Sequence, residues 1–222
     1  MSKSDPTQWT AAEFFLARWK TLLPSFGSMF SFDDCNGEMS DWINDASLSS
    51  DRAHSVKCAG TGNLSLKVIR RNNVAAFSGG AEPTLTGSDQ KWIFGGVMWF
   101  EDAVDAADDW RAFSITNAFA NTTIVCGLIA PDVSSTHFGW LVRNNVDGDH
   151  VAASTVAFST GRHYVMMFSD GANVFGSVDG ETPVLICDVS KMPAGTLKEF
   201  HGAISGATTC YIDAVCIGAE RP

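Results

Sequence analysis

Residues 163–188 read HYVMMFSDGANVFGSVDGETPVLICD. Three runs rich in β-branched, aromatic and other apolar residues, HYVMMFS (163–169), NVFGSVD (173–179) and PVLICD (183–188), alternate with Asp170-Gly171 and Asp179-Gly180. Glycine tolerates the positive φ that a tight hairpin demands, and aspartate bonds its own backbone in turns. The stretch therefore predicts a three-strand antiparallel meander, a unit that must pack one face against a second layer.

Similar short runs recur on both sides. They are SMFSF (28–32), LSLKVIR (64–70), KWIFGGVMWF (91–100), AFSIT (112–116), TIVCGLIA (123–130), HFGWLVR (137–143), STVAFS (154–159) and CYIDAVCIG (210–218). No helical period lies between them and no fixed-length repeat relates them. The expectation is an all-β fold, a two-sheet antiparallel jelly-roll sandwich over residues 28–222. In KWIFGGVMWF, Gly95-Gly96 reads as a bulge or a close sheet contact. The run CYIDAVCIG is apolar on both faces, so it reads as a central strand. Strict alternation groups Cys210, Ile212, Ala214 and Cys216 against Tyr211, Asp213, Val215 and Ile217, and Asp213 then needs a polar partner.

Residues 1–27 differ. TAAEFFLARWKTLL (10–23) has a capping box in Thr10 and Glu13, a stop at Pro24, and one apolar face made of Phe15, Leu16, Trp19, Leu22 and Leu23. This predicts an amphipathic helical arm ahead of the sandwich. Its face must be covered, either by the chain's own sandwich or by a neighbouring subunit, in which case the arm is an assembly element.

The chain's 25 acids against 15 bases give a net charge of −10, which repels a phosphate backbone or an anionic lipid surface. Nucleic acid is excluded as a partner on that ground. No apolar run approaches the roughly 20 residues of a membrane span, and the N-terminal MSKSDPTQWTAAEFF lacks the basic and apolar regions of a signal peptide. The six cysteines are scattered without a CxxC pair, which argues against a zinc site and for reduced thiols packed as small hydrophobes.

The reactive residue types do not assemble into a catalytic set. A retaining glycosidase needs two carboxyls roughly 5 Å apart, yet the seven glutamates, at 13, 38, 82, 101, 181, 199 and 220, are isolated from one another. No GxSxG elbow or phosphate-cradling glycine loop occurs, and His163 beside Tyr164 reads as an ordinary strand start. The acidic stretch EDAVDAADDW (101–110) and the loop VDGDH, with Asp147 and Asp149, lack the ordered ligands of a calcium loop and read as solvated turns. The expectation is a protein that is not an enzyme.

Three segments together resemble the concanavalin A-like lectin/glucanase superfamily, including laminin-G-like modules. They are FDDCNGEMSDW (32–42) followed by TGNLSLKV (61–68), then HYVMMFSDGANVFGSVDGE (163–181), and finally ATTCYIDAVCIG (207–218). The likeness spans most of residues 28–222 and leaves out the arm. Cys35 stands where an aromatic is usual. The resemblance implies a concave sheet that binds glycans in lectins and holds catalytic carboxylates in glucanases. It also implies a calcium ion that clips the first strand to the last, which here would take Asp33 or Asp34 together with Asp213. The alternative is that Asp213 bonds backbone while Asp33 and Asp34 are solvated turn residues. The glucanase Glu-x-Asp-x-(x)-Glu run and the lyase Arg-x-Glu-x-Arg and Gln-x-His segments are absent.

Glycan binding needs an exposed aromatic platform beside polar groups. Trp110 with Arg111, and Trp140 with Arg143, are the candidates. Two roles follow as expectations. One is a structural module of a virion, a decoration, fibre or tail-associated component that associates with other subunits and with its own copies. The other is a carbohydrate-binding module for a surface polysaccharide.

Overall fold

The computed structural model describes residues 28–33, 48–49, 56–59, 65–69, 91–101, 111–116, 125–130, 136–144, 148–192, 199–204 and 209–220. The helical arm lies outside the described residues, as do Asp34, Trp110, Asp147 and the stretch 102–110.

Among the described residues, fourteen strands form two antiparallel sheets. In chain order they are β1 (Ser28–Asp33), β2 (Leu48–Ser49), β3 (Val56–Ala59), β4 (Ser65–Ile69), β5 (Trp92–Phe100), β6 (Arg111–Thr116) and β7 (Val125–Ala130). They continue as β8 (His137–Asn144), β9 (Gly148–Ala157), β10 (Gly161–Ser169), β11 (Asn173–Val178), β12 (Val184–Asp188), β13 (Glu199–Ile204) and β14 (Thr209–Glu220). One sheet has eight strands, in the order β12-β11-β10-β5-β14-β3-β2, with β1 also paired to β14; the other has six, in the order β4-β13-β6-β7-β8-β9. This is the all-β sandwich expected from the strand pattern.

The meander forms as its turn residues require. Asp170 Oδ1 accepts hydrogen bonds from the backbone N–H of Ala172 and Asn173, both at 2.8 Å, and Gly171 takes φ +96°. After β11, Asp179 (φ +50°) and Gly180 (φ +79°) form the centre of a turn closed by Glu181 N–H donating to the Val178 carbonyl at 2.9 Å. Two consecutive positive φ angles mark a type I′ turn, whose twist matches that of the flanking strands.

β5 is the axis of the larger sheet, paired along its length with β10 on one side and β14 on the other. Gly95 and Gly96 lie within a continuous ladder opposite Met166 and Val165, so of the two readings, bulge or close sheet contact, the bulge is absent. It falls instead in β14, where the register slips between Ile212 and Ala214 and Asp213 is the extra residue. A bulge reverses the alternation beyond it. Val215 and Ile217, set opposite Gly96 and Phe94, thereby fall in phase with Ile212 opposite Met98, which corrects the strict grouping expected from sequence.

The core lies between the sheets. Trp92, Phe94, Met98 and Phe100 of β5 face Phe138, Trp140 and Val142 of β8, all with essentially no exposure. The Phe100 and Phe138 rings lie 5.7 Å apart. Gly176 of β11 sits under the Trp140 indole so closely that a Cβ there would lie 2.3 Å from the ring.

Candidate functional site

The described polar chemistry gathers at one corner, where β9 of the smaller sheet meets the turns of the meander. Glu181 is its centre. Its carboxylate accepts from Ser154 Oγ at 2.5 Å, from Thr155 N–H at 2.8 Å and from Val178 N–H at 3.0 Å, with a further bond from the Thr155 hydroxyl. Ser154 and Thr155 belong to one sheet and Val178 to the other, so a single side chain ties the layers together. Ionised acceptors make the stronger hydrogen bonds, and this one is multiply satisfied.

Beside it, His163 Nδ1 lies 2.7 Å from Asp179 Oδ2, and the other carboxylate oxygen of Asp179 accepts from Tyr164 N–H at 2.8 Å. His163 Nε2 stands 3.2 Å from Ser159 Oγ and 3.0 Å from the Ser159 carbonyl. The imidazole is buried between Phe138, at 4.8 Å, and Phe100, at 5.9 Å. The order acid–histidine–serine is that of a nucleophile relay, and the same contacts join separate segments of the fold. A carboxylate only accepts, so the ring donates from Nδ1 to Asp179, while Nε2 faces both the hydroxyl and the carbonyl of Ser159. The group fastens the β9–β10 loop to the β11 turn.

The remaining described aspartates of this region are also bound into the fold. Asp170 holds its own turn. Asp188 caps a short 3-10 turn over Val189–Lys191 by accepting from Ser190 N–H at 2.8 Å, and that bond holds its carboxyl below the usual range.

The residues expected to bind glycan do not form one site. Trp140 is a core residue, 1% exposed and pressed against Gly176, with an indole N–H that meets no acceptor. It fills volume between the sheets and is not a surface platform. Arg143 makes a two-pronged pair with Asp149, Nε to Oδ1 at 2.7 Å and Nη2 to Oδ2 at 2.6 Å. Those hydrogen bonds hold Asp149 below the usual carboxylate range and push the guanidinium up. Asp149 therefore lies in β9 as the partner of Arg143, which corrects the solvated turn expected there. Arg111 opens β6 opposite Ala130, whereas Arg143 lies opposite Val125 at the other end of β7. Five residues of strand, roughly 17 Å, separate the two positions along β7.

The expected calcium clip calls on acids at β1 and β14. β1 pairs directly with β14, and Asp33 lies opposite Val215, two positions along the strand from the bulged Asp213. The backbone thus brings the acid that ends β1 near the extra residue of β14. Asp33 and Asp213, with Asp34 next in the chain, are the residues that would hold such an ion.

No family model matches the sequence, and no curated protein matches it. Solved structures do match in fold. The Emp47p carbohydrate recognition domain aligns with a TM-score of 0.58 at 8% identity, over 86% of this chain and 93% of that one. Peanut lectin aligns with a TM-score of 0.54 at 12% identity, over 86% of this chain and 97% of that one. The fold is a concanavalin A-like jelly roll. The GH43 protein BlXynB from Bacillus licheniformis carries a similar sandwich, with a TM-score of 0.52 at 11% identity over 84% of this chain and 39% of that chain. A concanavalin A-like sandwich therefore accompanies both binding and hydrolytic names, and function has to be argued from the residues. Among the described residues no helix is long and apolar enough to cross a membrane.

Proposed function

We propose that this chain is a non-enzymatic lectin-like module, carried as a decoration, fibre or tail-associated component of a virion, where it associates with other subunits and with copies of itself. Glycan recognition is the companion reading, and the two are compatible. The observation that carries the non-enzymatic part is how the described reactive groups are engaged. His163, Asp179 and Glu181, which together contain the makings of acid–base chemistry, are each held by backbone and hydroxyl partners that fix turns and join the sheets.

The likeness to a carbohydrate recognition domain and to peanut lectin supports the glycan reading. With Trp140 in the core, its platform falls to Trp110 and Arg111 at the start of β6. Calcium belongs to the same reading, with Asp33, Asp34 and Asp213 as its carboxylate ligands at the β1–β14 seam, since calcium takes several oxygen donors.

One experiment tests both parts. The full chain is applied to a glycan array with and without calcium, and incubated with laminarin and alginate. Binding of a defined glycan that is lost in Trp110→Ala, strengthened by calcium, and unaccompanied by polymer shortening is the expected result. Shortening of a polymer that disappears in His163→Ala overturns the non-enzymatic reading. Binding that survives both Trp110→Ala and Arg111→Ala overturns the placement of the platform.

A further inference from the structure

The eight-stranded sheet has a second face, directed away from the six-stranded one. Residues opposite one another in register share a face. The residues that alternate with the core set of β5 and β10 are therefore outward: Ile93 and Val97 on β5, and Tyr164, Met166 and Phe168 on β10, with Tyr211 of β14 joining them opposite Trp99. All six are apolar or aromatic, and all are buried, Ile93 at 0% exposed and Met166 at 1%. Every described strand belongs to one of the two sheets, and the six-stranded sheet lies against the opposite face. The described 3-10 turn is tied to Ala172 at one end of the meander, by Val189 N–H donating to the Ala172 carbonyl. This burial arises within a single chain, so the cover is part of that chain.

The cover has a measurable extent. On β11 the outward Phe175 is only partly buried, and on β12 the outward Leu185 is 56% exposed. Burial therefore spans β14, β5 and β10, reaches β11 at Ser177 opposite Met166, and fades toward the far edge. Along the strands it runs from the Ile93/Phe168 pair to the Tyr211/Trp99 pair, six residues of β5 or roughly 20 Å. A 14-residue helix such as TAAEFFLARWKTLL is roughly 21 Å long, and with side chains it is about as wide as two or three strands.

The entry point agrees. Ser28 begins β1 opposite Glu220, and Ala219 lies opposite Trp92, so the chain enters the sheet at the Trp92/Ser169 end, next to β14. Four residues, Pro24 to Gly27, span up to about 14 Å, enough to cross from β1 over β14 to β5 at roughly 5 Å per strand. Other long stretches outside the described residues, such as RRNNVAAFSGGAEPTLTGSD (70–89), carry no comparable apolar stripe.

We infer that the amphipathic helix of residues 10–23 packs through Phe15, Leu16, Trp19, Leu22 and Leu23 on the outer face of the eight-stranded sheet of its own chain, over β5 and β10. This goes beyond the lectin-like reading and moves any contact with other subunits off the arm's apolar face. The test uses the full chain with the photoreactive residue p-benzoylphenylalanine in place of Trp19, and a control with it in place of Thr21 on the opposite side of the helix. Equal amounts of isotopically light and heavy chains are mixed before illumination. Cross-links from position 19 to peptides of β5 or β10, always within one isotope label and absent from the position 21 control, are the expected result. Three results overturn the inference: links between light and heavy chains, links within one chain to other strands, or the same pattern from both positions.

Discussion

The two faces of the eight-stranded sheet are equally apolar and reach their burial by different routes. The inner face meets a second sheet whose Phe138, Trp140 and Val142 interlock with it ring against ring. The outer face is just as dry at Ile93 and Met166, and its burial fades through Phe175 to the exposed Leu185. A sheet covered all along its inner face and in a band on its outer face behaves as the middle layer of a three-layer unit. A continuous apolar strand such as β5 signals this demand on both sides without saying which element meets it.

Substitutions on each face sharpen the contrast. Trp140→Ala is expected to cost the most, about 3–5 kcal/mol by chemical denaturation, because it empties the close inter-sheet contact over Gly176. A loss of glycan binding in that variant then reports unfolding, and a variant that unfolds at the wild-type denaturant midpoint contradicts the core placement. Met166→Ala on the outer face is expected to cost about 2–5 kcal/mol, as for a core methionine. The exposed Leu185→Ala, on the same face, should stay within roughly 0.5 kcal/mol. Equal small effects at the two positions would mean that the outer face is open to water.

The third test is by pH. Cys187 of β12 lies opposite Val174 on the inner face, and burial, then the charge of Asp188, pushes its thiol up from 9.0 to about 11. A raised thiol leaves stability untouched at neutral pH. Above 9.0 the unfolded chain ionises first, so stability falls as pH rises toward about 11. The loss attributable to this group reaches up to about 3 kcal/mol. Melting curves of wild type and Cys187→Val are expected to diverge only above pH 9.0; parallel curves across that range contradict the assignment.

Much of the sandwich was legible because its signals are local. The meander follows from two Asp-Gly turns, and β5, β7, β8 and β14 from dense apolar runs. β2 (LS), β3 (VKCA) and β13 (EFHGAI) were missed because none alternates clearly, and β3 and β13 gain strand geometry from β14, β4 and β6 far along the chain. The bulge at Asp213 was illegible for a related reason, since a bulge is a property of two strands and only one can be read at a time.

The corner chemistry was half legible. With Val165 paired to Val178, the hairpin register extends to put Asp179 beside Tyr164 and within reach of His163, a deduction the sequence permits once the turn is placed. Glu181 bonding to Ser154 and Thr155 joins different sheets, and no hairpin rule predicts it. Trp140 was misread because an aromatic followed by RNN suggests a surface, whereas the glycine that receives its indole lies on a strand of the opposite sheet.

The pairing of β14 with β1, β3 and β5 has a consequence for how the molecule comes into being. A nascent chain that has emerged only as far as β13 already contains β1 and β5, but it lacks the strand that separates them. The larger sheet can then exist only as an incomplete layer with bare hydrogen-bonding edges. Contacts so distant along the chain carry a large loop-closure cost and form late. Closure of this sandwich therefore waits on β14, and until that strand is made the exposed strand edges are the surface that a chaperone would have to shield.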